Sequence, residues 1–198
     1  MRKLILAFTA FLGLSSAAQA GLLLEPYIGY ETGGGKATYT SDATQSYTNK
    51  ATGSTVGARV GYKLPLMFWL AADYSMTSGS DKYEFVDSNL NESPNFNRTS
   101  LYATVGMDFV ILVRGYVGYS LSNENKLKFS AGEVTAKGSA YKVGLGFTGL
   151  PFVSINAEYV KYTYTDLSGA LGSGKVSDLY SSFDNSAVML GVSVPFNL

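Results

Sequence analysis

The sequence contains no cysteine and no histidine among its 198 residues. Without them the chain cannot form a Ser-His-Asp triad, a Cys-His pair or a cysteine- or histidine-ligated zinc site. It also has no disulfide to stabilise an exported fold. These absences remove the common catalytic chemistries, although not every one. We therefore predict a protein that is not an enzyme, with no catalytic residues, no metal site and no cofactor.

Long hydrophobic runs are missing after residue 20. Residues 1–20 begin with two basic side chains, continue with an apolar run from Leu4 to Leu14 and end in Ala18-Gln19-Ala20. These are the three parts of a secretory signal peptide. The apolar run is about half of the ~20 residues that a membrane-spanning helix needs. The sequence thus predicts a cleaved signal peptide, 1–20, followed by one domain, 21–198.

A strong excess of either charge is also missing. Removal of Arg2 and Lys3 with the signal leaves 13 basic residues against 15 acidic ones. The chain therefore lacks the basic stripe of a nucleic-acid-binding protein, and it has no electrostatic reason to dock on anionic lipid. Tyrosine and glycine are abundant, with 15 and 22 residues. Tyrosine suits sheets and membrane interfaces, and glycine suits turns and curved strands.

Eight segments of roughly ten residues alternate apolar and polar side chains with period two, which predicts β-strands. The last segment keeps this alternation to the end of the chain. The segments are Leu22–Glu31, Ser54–Lys63, Phe68–Thr77, Thr99–Val110, Leu112–Leu121, Ser139–Thr148, Phe152–Tyr164 and Val188–Leu198.

Short and long connections alternate between these segments. Up-and-down strands place all short turns at one end and all long loops at the other, as in outer-membrane barrels with both termini in the periplasm. We expect Gly33-Gly34-Gly35-Lys36 to be a flexible loop, because it lacks the spacing of a phosphate-binding motif. The short turns are near Leu64–Leu66, Val110–Leu112 and Gly149–Pro151, and the long polar connections are 33–52, 78–97, 122–138 and 166–185.

Period two alone does not tell whether the apolar face points outward to lipid or inward to a soluble calyx. The opposite face is rich in glycine, which fits a narrow lumen better than a soluble exterior. The aromatic residues of the apolar face also fall into two groups, resembling interfacial girdles. One group lies near the short turns (Tyr62, Phe68, Phe109, Phe147, Phe196) and the other toward the long loops (Tyr30, Tyr74, Tyr119, Tyr141, Tyr159).

We therefore predict an all-β fold, an eight-stranded antiparallel up-and-down transmembrane β-barrel, and keep the soluble calyx as the alternative. One detail fits poorly. Phe68 and Tyr74 are only about 15 Å apart in height on a tilted strand, below the apolar band of ~25 Å that such barrels carry.

Six charged residues are predicted to point into the lumen near mid-height. A barrel of eight strands is just wide enough for side chains to fill it, and buried charges must be paired. Two hypotheses follow: a structural salt-bridge network that closes the interior, or a charge-lined narrow pore for ions or small solutes. The residues are Glu25, Arg59, Asp73, Arg114, Lys142 and Glu158.

The strand patterns, such as Phe68-Trp69-Leu70-Ala71-Ala72-Asp73-Tyr74 and Asn156-Ala157-Glu158-Tyr159, resemble the small eight-stranded outer-membrane barrels. These are the OmpA-like transmembrane domain and the OmpX-like and OmpW-like proteins, and the resemblance covers 21–198. It implies a multi-pass protein of the Gram-negative outer membrane. Members commonly end in an aromatic residue that the insertion machinery reads, whereas this chain ends in Leu198 with Phe196 two residues before it.

The same resemblance suggests partners and roles. We expect contact with outer-membrane lipid and lipopolysaccharide, and with periplasmic chaperones and the barrel-insertion machinery during export. An OmpW-like barrel would pass small apolar molecules, and an OmpX-like one would contact a host or cell-surface ligand through its loops. The connection 78–97 is a candidate for such contact, because its charged residues are mainly acidic and it carries aromatic side chains (Asp81, Lys82, Tyr83, Glu84, Phe85, Asp87, Glu92, Phe96).

Overall fold

The computed structural model describes residues 21–41, 46–85, 91–109, 112–170 and 172–197. The predicted signal peptide and Leu198 lie outside these ranges. Within them, no helix combines the length and the apolar character needed to cross a membrane.

The described chain is almost entirely extended, as the alternating segments predict. One 3-10 turn (Pro65–Met67) and one short helix, α1 (Val176–Leu179), interrupt it. The strands are β1 (Gly21–Tyr39), β2 (Ser46–Lys63), β3 (Phe68–Phe85), β4 (Asn91–Glu92), β5 (Asn95–Phe109), β6 (Val113–Phe129), β7 (Gly132–Leu150), β8 (Val153–Gly169), β9 (Gly174–Lys175), β10 (Tyr180–Ser193) and β11 (Phe196–Asn197).

The eight long strands close into a ring in the order β10-β1-β2-β3-β5-β6-β7-β8, with β8 paired back to β10. All pairs are antiparallel. The predicted eight-stranded antiparallel barrel is therefore confirmed.

The register fixes the tilt of the strands. Following cross-strand partners once round the barrel from Thr32 of β1 leads back to Leu22 of the same strand, ten residues earlier. Such a displacement over eight strands corresponds to a tilt of about 40–45°, so that each residue adds ~2.4 Å of height. β1 with its 19 residues is therefore ~45 Å tall, well above the ~25 Å of a lipid-facing band.

The prediction of long loops is largely wrong, because the strands continue past the apolar segments. β1 runs to Tyr39 and β2 starts at Ser46, so most of 33–52 is paired strand. Gly33, Gly34 and Gly35, predicted to lie in a flexible loop, each have Cα partners on both β10 and β2. A Cβ on Gly34 would lie 2.1 Å from the Asn49 carbonyl oxygen, so the close approach of the strands requires glycine there.

The connection 122–138 is likewise mostly strand. β6 continues to Phe129, β7 begins at Gly132, and a tight turn at 130–131 joins them. Polar side chains alternate with buried ones along 122–129 and 132–138, and this alternation supports a strand even where no lipid is present.

The last strand does not alternate without interruption, contrary to prediction. β10 ends at Ser193, and β11 resumes at Phe196 beside Leu24 of β1. Pro195 has no N–H to donate to a ladder, so the pairing breaks around it. The Val194 N–H donates to the Pro26 carbonyl (3.0 Å) and keeps the segment against β1.

The apolar face changes side along the height of the barrel. In the half next to the short turns, apolar side chains cover the outside, with Ile28 64% exposed and Leu190 62% exposed. In the half beyond them, which we call the extension, apolar side chains fill the inside instead: Phe96, Leu127 and Val176 are at most 6% exposed. The extension is therefore built like a soluble barrel stacked on a membrane barrel.

Candidate functional site

All six predicted lumen charges lie inside the barrel, and none is more than 3% exposed. Alternation places them there, since each occupies an inward position of its strand. Their formal charges balance, with three acidic and three basic side chains. The side chains are Glu25, Arg59, Asp73, Arg114, Lys142 and Glu158.

Arg59 is the centre of this set. Its Nε donates to Asp73 Oδ2 (2.9 Å), its Nη1 to Glu25 Oε1 (3.0 Å), and its Nη2 to Glu158 Oε1. Its guanidinium also lies between the rings of Tyr27 and Tyr116, at 4.8 and 4.6 Å from their centroids. Every face and edge of this cation is thus contacted by protein, as a charge removed from water requires.

Two further cations reach across the lumen. Arg114 of β6 donates to Glu25 Oε2 of β1, the opposite strand of the ring, at 2.6 Å. Lys142 of β7 donates to Asp73 Oδ2 of β3 at 2.5 Å and lies 3.4 Å from Glu158 Oε2. The six residues therefore form one network that spans the lumen, which we call the central network.

Neighbouring residues not included in the prediction complete the network toward the short turns. Asp108 accepts from Arg114 Nε (3.2 Å) and from Lys63 Nζ (2.8 Å). Trp69, fully buried, packs against Tyr116 with ring centroids 5.7 Å apart and the ring planes inclined at 49°. Their inward positions were readable from the alternation, but their partners on other strands were not.

A second layer crosses the lumen above the central network. Arg98 Nη1 donates to Glu31 Oε1 (2.5 Å), and the Tyr162 hydroxyl donates to Glu31 Oε2 (3.0 Å). The Arg98 guanidinium lies 3.9 Å from the centroid of the Tyr162 ring. Sequence reasoning missed this layer, because Arg98 falls between the predicted connection 78–97 and the predicted strand Thr99–Val110 and was assigned to neither.

Little space remains between the two layers. A cavity of ≈ 10 Å³, bordered by Tyr27, Glu31 and Lys142, is the size of about one water molecule. Side chains of both layers, including Glu158 of the central network and Tyr162 of the second layer, therefore border this cavity.

Aromatic side chains line the inside of the extension, and we call this set the aromatic cap. Consecutive ring centroids are 5.0 to 6.2 Å apart, within the range of attractive aromatic contacts. The cap follows the barrel wall across β6, β3, β2, β1, β10 and β8 through Phe129, Tyr83, Tyr47, Tyr39, Tyr180, Phe183, Tyr164 and Tyr162.

Asp81 lies under this cap rather than in a solvated loop, as was expected for the connection 78–97. It is 3% exposed and accepts hydrogen bonds from Asn49 Nδ2 (2.8 Å) and the Tyr83 hydroxyl (3.1 Å). Burial raises the pKa of its carboxyl, and the donated hydrogen bonds oppose that shift only in part. Asp87 of the same connection is outside the described residues.

The ten aromatic residues assigned to the lipid interface all point outward. They are between 43% and 59% exposed, and they retain the two heights expected from the sequence. They are Tyr30, Tyr62, Phe68, Tyr74, Phe109, Tyr119, Tyr141, Phe147, Tyr159 and Phe196.

The outer face of the extension carries a cluster of lysines, which we call the lysine face: Lys36, Lys50 and Lys82. Lys50 and Lys82 are direct cross-strand partners, and Lys36 lies diagonally next to Lys50. Among the described residues the only ion pair of this cluster is an exposed one of 3.7 Å, between Lys82 and Glu84. Glu84 and Asp184, the direct cross-strand partner of Lys36, lie beside the cluster, so its three lysines leave a small net positive charge on this surface.

The described residues contain no group of three or more Asp and Glu side chains arranged to hold a metal ion. The geometry therefore brings together a charge-balanced network that crosses the lumen and a group of exposed lysines on the outer face.

Comparisons with known proteins agree with this architecture. The family model described as "Outer membrane protein beta-barrel domain" matches residues 5–196. A comparison with curated proteins gives no match.

Solved structures of outer-membrane barrels superpose on the chain. Ail of Yersinia pestis, solved with the heparin analogue sucrose octasulfate, is 18% identical with a TM-score of 0.58, and the match covers 89% of this chain and 99% of Ail. OprG from Pseudomonas aeruginosa is 11% identical with a TM-score of 0.54, over 91% of this chain and 98% of OprG. Neisserial surface protein A is 18% identical with a TM-score of 0.50, over 90% and 99%.

Proposed function

The chain belongs to the outer membrane protein beta-barrel domain family, and from that premise we propose that it is a non-conducting barrel that holds a rigid extension at the cell surface. A protein of this family spans the outer membrane of a Gram-negative bacterium, so the extension lies on the side away from the short periplasmic turns. The mature domain would be 21–198, after removal of 1–20. The proposed role is structural support and surface contact, without a catalytic step.

The crossing of the lumen by the central network is the observation that carries this proposal. An ion that entered would have to displace Arg114 from Glu25 or Lys142 from Asp73. Removing one partner from a buried pair costs roughly 3–5 kcal/mol, because the other charge stays buried and uncompensated. Such a cost disfavours spontaneous opening, and the second layer and the aromatic cap add to it.

Conductance of the purified barrel in planar bilayers tests the proposal. We expect no unitary current steps from the wild type, while a general porin in the same bilayers gives steps. Reproducible steps of fixed amplitude from the wild type would overturn the proposal and favour the alternative, a narrow pore for ions or small solutes.

The lysine face supports a second candidate function, contact with polyanionic ligands. Lys36, Lys50 and Lys82 lie six to eight residues beyond the last apolar outward positions of their strands, ~14–19 Å above them. At that height they would meet phosphate groups of lipopolysaccharide or sulfated glycans of another cell. An adhesin of this kind would bind its ligand through a strand surface rather than through loop tips.

Binding to immobilised heparin tests this second function. The triple variant Lys36→Gln/Lys50→Gln/Lys82→Gln should bind several-fold more weakly than the wild type at low salt. The matched control is Lys126→Gln/Lys128→Gln/Lys137→Gln, because Lys126 and Lys137 already share Glu124 as an ion-pair partner (3.4 and 3.3 Å). If both triple variants lost the same amount of heparin binding, the binding would depend on net charge and not on the lysine face. Repeating the assay with lipopolysaccharide distinguishes the two sources of polyanion.

A further inference from the structure

The short turns form an apolar rim at the periplasmic end of the barrel. Leu64 and Leu150 are each 44% exposed, Leu112 is 52% exposed and Phe152 is 86% exposed. Turns that face water are normally polar. We call the described residues of these turns (64–67, 112 and 149–152) the apolar rim; the side chain of Leu66 is outside the described structure.

The backbone of the rim is strained at residues that carry bulky apolar side chains. Each turn has one bulky apolar residue in the left-handed region: Met67 at φ 71°, Leu112 at φ 63° and Phe152 at φ 65°. Glycine or asparagine adopts this conformation more readily. A bulky apolar residue there is favourable when its side chain gains a contact that water would not provide.

The height of the apolar band points to lipid as that contact. On β7, Tyr141 and Phe147 are six residues apart, ~15 Å in height, which is too short for the ~25 Å band. From Tyr141 to Leu150 the height is ~22 Å, and the turn itself adds the remainder. The lower part of the band is therefore supplied by the rim and not by the lower aromatic residues.

The rim is also continuous with the lipid-facing surface. The Thr148 N–H donates to the Leu112 carbonyl (2.7 Å) and joins two neighbouring turns. A Cβ added at Gly149 would lie 3.0 Å from Leu112 Cδ1 and 2.5 Å from the Phe147 ring, so the rim packs against a residue of the band.

Burial of the rim in lipid would leave no unpaired side-chain charge among the neighbouring described residues to desolvate. The nearest charged side chains, Lys63 and Asp108, pair with each other at 2.8 Å on the inward side and are only 23% and 26% exposed. Lys63 is therefore held inside and does not extend toward solvent.

We infer that the apolar rim is submerged in the inner phospholipid leaflet of the outer membrane, with Leu112 and Phe152 at the level of the acyl-chain segments next to the headgroups. The barrel then sits deep in the membrane, with its periplasmic turns in lipid and its extension well above the outer surface. This seating is independent of whether the lumen conducts or the lysine face binds a polyanion.

Site-directed spin labelling tests the seating, and the absence of native cysteine makes single labels unambiguous. Leu112→Cys and Phe152→Cys are labelled with a nitroxide in barrels folded into phospholipid vesicles. Ile28→Cys is the control for the band and Lys50→Cys the control for water. We expect the labels at 112 and 152 to be relaxed by oxygen, which partitions into lipid, and protected from a water-soluble nickel chelate, as at 28.

Nickel accessibility at 112 and 152 equal to that at 50 would overturn the inference. If the same labels were accessible in vesicles but shielded in whole cells, the occupant would be a periplasmic protein and the inference would also fail. Heat-modifiable migration on a gel checks that each variant is folded.

A sign test with Phe152→Asn is independent of labelling. Asparagine adopts the left-handed backbone conformation with less strain than phenylalanine. If the turn lies in water, the variant should therefore be as stable as the wild type or more stable. If the turn lies in lipid, the variant loses the contact between the apolar ring and the acyl chains and should be less stable than the wild type. We expect this result, measured as a lower urea midpoint of unfolding in phospholipid vesicles. Thr48→Asn, on the outer face of the extension, is the neutral reference, and an unchanged or higher midpoint for Phe152→Asn would contradict submersion.

Discussion

At the scale of single residues, Arg59 has the most concentrated role in the molecule. It contacts three carboxylates and two tyrosine rings while fully buried. Such a network is not by itself a source of stability, because the cost of desolvating the charges offsets much of their attraction. The loss of any one member is expensive, because its partners would stay buried without a counter-charge.

Replacement of Arg59 by methionine tests this role. Arg59→Met leaves Glu25, Asp73 and Glu158 without their shared partner, so we expect the free energy of unfolding to fall by about 3–5 kcal/mol. Urea unfolding in phospholipid vesicles, followed by the fluorescence of the single tryptophan, Trp69, measures the loss.

The control for this substitution is Lys161→Met, which removes the exposed Lys161–Asp184 pair and should cost no more than about 1 kcal/mol. If the two variants were equally stable, the central network would contribute no more than a surface ion pair does.

Asp81 predicts a pH dependence at the extracellular end. Its pKa is raised in the folded protein, so the fold favours the neutral carboxyl. The stabilising contribution is complete below the unfolded pKa of about 4 and is lost as the pH rises through the raised folded pKa. The stability of the wild type relative to Asp81→Asn should therefore fall with rising pH, as measured by urea unfolding across that range.

Asp166 provides a control of opposite sign. The exposed Asp166 accepts from Lys175 Nζ (2.6 Å), which lowers the pKa of its carboxyl. Its contribution is present above the unfolded pKa and is lost as the pH falls through the folded pKa. The stability of the wild type relative to Asp166→Asn should rise with pH, and parallel trends for the two variants would contradict the assignment for Asp81.

At the scale of the strands, inward glycines make room for the large side chains of the central network. A Cβ on Gly144 of β7 would lie 2.2 Å from the ring of Tyr116 on the neighbouring strand β6. Tyr116 in turn stacks on Arg59 and donates to Glu158 (2.8 Å). The small residue on one strand and the large one on the next are therefore a single packing unit.

Two glycine-to-alanine variants test this unit. Gly144→Ala should lower the free energy of unfolding by about 1–3 kcal/mol, because the extra methyl forces Tyr116 to move. Gly115→Ala on β6 is matched to it, since its nearest contact would be the Phe109 ring at 3.4 Å and the gain in backbone rigidity is the same. Equal stabilities from urea unfolding would show that the lumen tolerates the repacking.

At the scale of the whole molecule, the barrel consists of two stacked parts with opposite distributions of apolar and polar side chains. The membrane part is apolar outside and charged inside, whereas the extension is polar outside and aromatic inside. The reversal follows from the surrounding medium, since lipid accepts apolar side chains and water accepts charged ones. The polar connections thus become ordered walls above the membrane surface.

Hydrogen exchange of the barrel in lipid nanodiscs tests the order of the extension. We expect amides paired across strands in 33–39, 46–52 and 123–129 to exchange orders of magnitude more slowly than unstructured peptide, because each belongs to a closed ladder. Fast exchange throughout those ranges would restore the long loops expected from the sequence.

The sequence by itself determined the number of strands, the face of each side chain and the closed ring. Period-two alternation fixes which side a residue faces, and a membrane demands that every backbone group be paired. For the same reason it placed Glu25, Arg59 and the other four charges on the inward face. It did not determine where the strands end, because the polar alternation of 33–39 does not differ in composition from a loop.

Only the tertiary structure decided which residues meet across the lumen. Arg114 and Glu25 are 89 residues apart in sequence, and their contact depends on the displacement of ten residues that tilts the strands. Alternation carries no information about that displacement, which is set by the pairing of all eight strands together. The central network, the second layer at Arg98 and the aromatic cap follow from it.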